Sequence, residues 1–200
     1  MLLLLIVLKY RWLFLSRNVL VYIFCLSTIL LLACGPVAPS EQPVAVPSQT
    51  TIDSDLVPFL EAYLADASAT GAPVGHERLD ELKMLVWRDS IQAAGADAGV
   101  ILGRCRRFNE NAKDPSQRFR VVEIARPDHQ QMVGGIRIDS LTLKTILYHE
   151  LGHCLHDFRG HRPVGEGSIM SGELPAERFH DFDKLRHSHF QLMRKQKSSR

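Results

Sequence analysis

The chain has 200 residues, 46% of them hydrophobic and 23% charged, with a formal net charge of +2 at pH 7. That balance suits a packed core and excludes a disordered or collagen-like polymer. All 22 acidic residues lie beyond Ala33, whereas Lys9, Arg11 and Arg17 precede it; without residues 1–33 the balance is 21 basic against 22 acidic, a net of −1, which gives no reason to expect a nucleic-acid partner.

The apolar run Val19–Ala33 is shorter than the roughly 20 residues a transmembrane helix needs, and it suits the apolar region of a signal peptide. It ends in Leu31-Leu32-Ala33-Cys34-Gly35, which resembles a bacterial lipobox. The resemblance implies cleavage before Cys34, a lipid anchor on its thiol, and residence in the bacterial cell envelope on the periplasmic side of a membrane. The plainer alternative is an ordinary cysteine beside a membrane anchor. Pro36, Pro39, Pro43 and Pro47 follow among small and polar residues, so residues 34–52 read as an extended Pro-rich tether and 53–200 as the folded domain.

Leu56, Phe59, Leu60, Tyr63 and Leu64 repeat at helical spacing, with Pro58 in the first turn and Gly71 near the end. Strands are expected over Leu82–Trp87, Val100–Arg106 and Phe119–Ile124, separated by Gly-, Asp-, Asn- and Pro-rich turns. Residues 88–98 look too short and glycine-rich for a helix. Gly134-Gly135 precede a short alternating piece, Ile136–Asp139. Asp139 or Ser140 then caps a helix carrying Leu141, Ile146, Leu147, Leu151 and Leu155. Pro175 opens a last helix with Phe179, Phe182, Leu185, Phe190 and Leu192 inward. Strands first and helices after predict an α+β fold with a short, mostly antiparallel sheet packed on the two later helices.

Within the helix that follows Ser140 stands His149-Glu150-Leu151-Gly152-His153. Each residue turns a helix by about 100°, so histidines four apart lie about 40° apart and can grip one ion. Glu150 lies beside them, placed to reach a metal-bound water without being a ligand. This is the H-E-x-x-H arrangement of zinc hydrolases, and it predicts Zn2+ as cofactor.

Gly160-His161 and Ser168-Ile169-Met170 follow. Together with the helix they resemble the metzincin zinc metallopeptidases, in which a third histidine completes the site and a methionine-containing turn lies beneath it. The string from His149 to His161 also resembles small bacterial lipoproteins of zinc-metallopeptidase type. The resemblance covers about 30 residues. It implies His149, His153 and His161 as metal ligands, Glu150 as the catalytic acid and base, Met170 as the turn methionine, peptide or protein as substrate, and a reduced form of the family fold. Two positions depart from the family pattern, which has Gly where His156 stands and His where Arg159 stands. The third histidine thus comes two residues late, and we read a longer helix that turns at Gly160. Gly172 occupies the position where some metzincins carry a tyrosine.

Other readings compete. His156 is still within the expected helix, one turn beyond the grip point, and reads as a neighbour of the site or a surface residue. His180, His187 and His189 read as exposed on the last helix, and His129 as a loop residue. Glu173 lies 24 residues after His149, a spacing reminiscent of thermolysin-like enzymes, but its surroundings do not resemble theirs. Cys105 and Cys154 either pair in an oxidising compartment or stay as buried thiols. A second class of function is a non-catalytic envelope lipoprotein with a structural zinc clip, which needs four protein ligands.

Overall fold

The computed structural model describes residues 44–92, 100–163, 168–172 and 181–198, with backbone alone for 196–198. The signal segment, Cys34, most of the tether, Glu173, Pro175, Phe179 and His180 lie outside the described residues.

The architecture is α+β. In chain order the elements are β1 (Thr51–Ile52), a 3-10 turn, α1 (Val57–Ala69), α2 (His76–Glu81), β2 (Leu82–Arg88), β3 (Gly103–Phe108), a second 3-10 turn, β4 (Phe119–Ala125), β5 (Met132–Val133), β6 (Ile136–Arg137), α3 (Ser140–Leu155) and α4 (Phe182–Ser198). Among the described residues no helix is long and apolar enough to cross a membrane.

The four-stranded sheet has the order β1-β2-β4-β3, and β5 and β6 form a separate small hairpin. The expectation of a mostly antiparallel sheet is corrected here. β1 pairs with β2 and β2 with β4 in parallel, and only the edge strand β3 runs antiparallel to its neighbour β4. Parallel pairing needs a crossover, and α1 with α2 supplies it between β1 and β2. β1 also moves the start of the fold: Thr51 and Ile52 pair with Met84 and Leu85, so they belong to the sheet and not to the tether. The second strand begins at Gly103, later than the expected Val100, and α2 was not anticipated.

The core lies between the sheet and the helices. α1 contributes Leu60, Tyr63 and Ala67; β2 and β4 contribute Leu85, Val122 and Ile124; α4 contributes Leu185, Phe190 and Met193. Met193 is buried where Leu192 was expected, one position away on the helix. Every residue of β4 is buried, as a strand covered on both faces must be. α3 is buried along most of its length, from Thr145 through Cys154 with only His153 half-exposed. Each large apolar side chain so enclosed contributes roughly 1.5–3 kcal/mol, and this packing holds the helix that carries His149 and His153 rigid. Asp139 caps α3 by accepting from the Thr142 N–H at 2.7 Å.

α3 ends at Leu155, with His156 as its C-cap. The expected longer helix turning at Gly160 is therefore corrected. The chain breaks earlier, at Asp157 with φ +54°, and turns a second time at Gly160 with φ +75°. Asp157 tolerates the left-handed region because buried charges hold it. The Arg120 guanidinium donates to it at 2.6 Å and to Glu81 at 2.5 Å, and also donates to the Cys154 carbonyl. Arg78 donates to Asp157 at 3.0 Å and to Glu81 at 2.8 Å. Cys105 of β3 and Cys154 of α3 are joined as a disulfide with a Cα–Cα distance of 5.6 Å.

Candidate metal centre

Three imidazoles converge beside the C-terminal half of α3. Nε2 of His153 stands 3.1 Å from Nε2 of His149 and 3.3 Å from Nε2 of His161, and one ligand atom from each of the three lies within 4.8 Å of the others. Nitrogens at about 2.0–2.1 Å from a tetrahedral zinc are about 3.3 Å apart, so two of the spacings match a shared ion.

The protonation pattern follows from the partners. Nδ1 of His149 lies 2.5 Å from the Ile169 carbonyl, and Nδ1 of His153 lies 2.7 Å from the Phe158 carbonyl. A carbonyl oxygen only accepts, so each Nδ1 carries the proton and donates. Each Nε2 is then a bare lone pair. The 3.1 Å approach of two such nitrogens is not a hydrogen bond; it brings two lone pairs to one point, an arrangement that a shared cation would stabilise. Burial holds His149 neutral, with its pKa pushed down to about 3, helped by the neighbouring His153 and His161 and opposed by the Ile169 carbonyl. Burial also lowers His153, opposed by the Phe158 carbonyl.

The turn beneath the helix is built by short-range hydrogen bonds. The Met170 N–H donates to Ser168 Oγ at 3.1 Å, the Ser171 N–H to the Ser168 carbonyl at 3.1 Å, and the Arg162 N–H to the Met170 carbonyl at 2.7 Å. Met170 is fully buried. Its sulfur packs under α3 at Gly152, where an added methyl group would stand 2.8 Å from it. The carbonyl of the residue before it, Ile169, orients His149. Gly172 lies beside the third histidine: a methyl group there would make ordinary contact with Cγ of His161 at 3.4 Å.

Glu150 is buried against β3. Its carboxylate accepts from the backbone N–H of Cys105, and Gly103 lies beneath it. Burial raises its pKa to about 8, opposed by that N–H and by the Arg104 charge; a dication at the three nitrogens acts in the same direction as these two. The Cys105 N–H is available because it does not face β4. By alternation, Gly103, Cys105 and Arg107 present their backbone groups to the edge of the sheet, where no strand among the described residues pairs with them, while Leu102 faces inward and accepts from Ala125 at 2.9 Å.

His156 is engaged elsewhere. Its Nε2 donates to the Ala72 carbonyl at 2.8 Å, so its Nδ1 accepts from the Tyr63 hydroxyl at 2.7 Å. The hydroxyl in turn faces Nε2 of His189 at 3.4 Å. His189 was expected to be exposed; it is fully buried, because its position on α4 points at Gly152 and Tyr63. His187 is exposed and His129 lies in a turn, as expected. Sequence reasoning also missed Asp66, which joins the Tyr148 hydroxyl at 2.6 Å to Arg186 at 2.7 Å. An aspartate on the inward side of an otherwise apolar helix was the available signal.

Comparison with protein-family profiles, with curated proteins and with solved structures finds no match to this chain.

Proposed function

We propose that the chain is a zinc-dependent metalloendopeptidase, anchored in a bacterial envelope through lipidated Cys34. The observation that carries the reading is the convergence of three Nε2 atoms, two of them left as bare lone pairs by carbonyls on the opposite ring nitrogen. Zinc, when bound by His149, His153 and His161, would supply Lewis acidity and an acidified water. Glu150 takes the proton of the attacking water and passes it to the leaving amine. The Cys105 N–H fixes its carboxylate, and the surrounding burial keeps it from bulk water. The free edge of β3 offers an extended peptide its backbone partners beside that carboxylate.

The count of ligands favours catalysis over a structural clip. Among the described residues the metal cluster stops at three side chains, and the fourth histidine in reach by sequence, His156, is bound to Tyr63 and Ala72. A structural zinc site closes with four protein ligands, whereas a catalytic one keeps a position open.

A peptide-library screen with zinc-loaded protein and a Glu150→Gln control tests the activity. Cleavage by the wild type and its near-loss in the variant are expected; a folded, zinc-loaded wild type that cuts nothing would favour the binding lipoprotein. Replacing Cys34 with Ser should abolish fatty-acid labelling, and unchanged labelling would remove the anchor.

A further inference from the structure

Beyond the end of α3 lies a cavity of about 260 Å³ that the proposed chemistry does not use. Five arginines line it: Arg78, Arg107, Arg118, Arg120 and Arg159. Against them stand three acids, Glu81, Glu110 and Asp157, leaving a net charge of +2. The floor is neutral, since Arg78 and Arg120 are held by Glu81 and Asp157. Two of the other three arginines are already engaged or at the rim. Arg118 donates to the Ala112 carbonyl at 3.2 and 2.8 Å, and Arg159 stands at the open mouth.

Arg107 is different. Its Nη1 is shut off from solvent and lies 3.3 Å from Glu110 and 4.0 Å from Asp157, yet it makes no hydrogen bond to either. A guanidinium N–H enclosed without an acceptor is costly, and its fork matches a carboxylate. Glu110 and Asp157 leave room for a monoanion and oppose anything of higher charge. The volume is below that of a drug-sized pocket, and suits one side chain or a chain terminus.

The cavity adjoins the metal centre. Phe158, whose carbonyl orients His153, is flanked in sequence by Asp157 and Arg159, and both line the cavity. β3 joins the two sites from the other side. Gly103 sits under Glu150, Cys105 is bonded to Cys154, and Arg107 reaches Asp157. From Gly103 to Arg107 is four strand steps, or about 13 Å. An extended peptide along the free edge of β3 with its scissile bond at Glu150 would carry a residue about four positions away to the cavity.

We propose that this cavity is a carboxylate subsite of the proposed peptidase, selecting substrates with an acidic group about four residues from the cut. The inference rests on the peptidase reading for the register of the peptide, but carboxylate binding can be measured without turnover. The probes are N-acetylated, C-amidated peptides identical except for Glu or Gln at one position, together with a free-acid form that carries the only carboxylate at its C-terminus. Each is titrated by calorimetry into the zinc-loaded full chain carrying Glu150→Gln, which does not consume it.

The Glu peptide or the free-acid form should bind about tenfold tighter than the neutral Gln peptide, as a charge-assisted fork would give. Which of the two binds tighter tells a side-chain carboxylate from a chain terminus. Arg107→Gln should remove the difference while zinc content stays at the parent's level, and Arg106→Gln, on the opposite face over the Phe108 ring at 4.6 Å, should leave it intact. Should Arg107→Gln fail to fold, the rim variant Arg159→Gln should still reduce the preference. Equal affinity for acidic and neutral peptides, or a preference that survives both variants, would overturn the proposal. A carboxylate preference in a wild-type protein that cuts nothing would uphold the subsite and sink the peptidase reading; cleavage without preference would do the reverse.

Discussion

Gly103 lies directly under Glu150: a methyl group added at residue 103 would stand 2.7 Å from Cγ of the glutamate and 2.9 Å from its Oε1. Backbone and side chain meet there because the edge strand must come close enough for the Cys105 N–H to hold the carboxylate. Gly103→Ala should therefore displace the carboxylate without touching the histidines. We expect kcat/KM for peptide cleavage to fall about 10²-fold, as for a misplaced catalytic group, with zinc content unchanged. An alanine variant of full activity would show that Glu150 needs no such support.

The disulfide ties that same edge strand to α3 across a sequence separation of 49 residues. Removing it frees a loop whose closure is worth about 4 kcal/mol in the chain-entropy account. Cys105→Ser with Cys154→Ala should lower the urea midpoint accordingly, and reductant should lower the wild-type midpoint by a comparable amount. Insensitivity of the wild type to reductant would mean the thiols are free.

Arg120 is the hinge of the buried ion cluster that holds Asp157 in its left-handed turn. Arg120→Met leaves Glu81 and Asp157 buried without their main partner, and breaking a buried pair from one side costs about 3–5 kcal/mol. Equilibrium unfolding should show a loss of that order. A loss below about 1 kcal/mol would mean that water or Arg78 takes over.

His189 gives the metal-free protein an acid sensitivity. Burial holds its pKa well below the ordinary 6.5, aided by the neighbouring imidazoles of His156, His149 and His153. The folded chain keeps it neutral while the unfolded chain takes up a proton below about pH 6.5, so its contribution to stability is full above that pH and is lost as pH falls below it. In the chelator-treated protein, His189→Asn should flatten the slope of unfolding free energy between pH 6 and 5. An unchanged slope would place the titration elsewhere.

The helix that carries His149 and His153 was legible because its signal is local. The histidine spacing, the cap at Asp139 and the apolar positions all lie within one short stretch, and α3 runs from Ser140 to Leu155 as they imply. The strand directions were not legible, since periodicity marks a strand but not its neighbour; β2 lies against β4, with β3 outside. The helix end was misjudged for a related reason. Gly160 is a visible stop, but the earlier stop at Asp157 depends on Arg120 and Arg78, which arrive from other elements. His189 was read as exposed because nothing in the sequence of α4 shows that its partner is a glycine, Gly152, on another helix.

The account stands on which three side chains hold the ion. Zinc per chain, measured by elemental analysis of wild type, His161→Ala and His156→Ala after identical reconstitution and dialysis, tests this directly. The account predicts one equivalent in the wild type and in His156→Ala, whose imidazole is bound to Tyr63 and the Ala72 carbonyl, and well under half an equivalent in His161→Ala. Zinc retained by His161→Ala but lost from His156→Ala would contradict it.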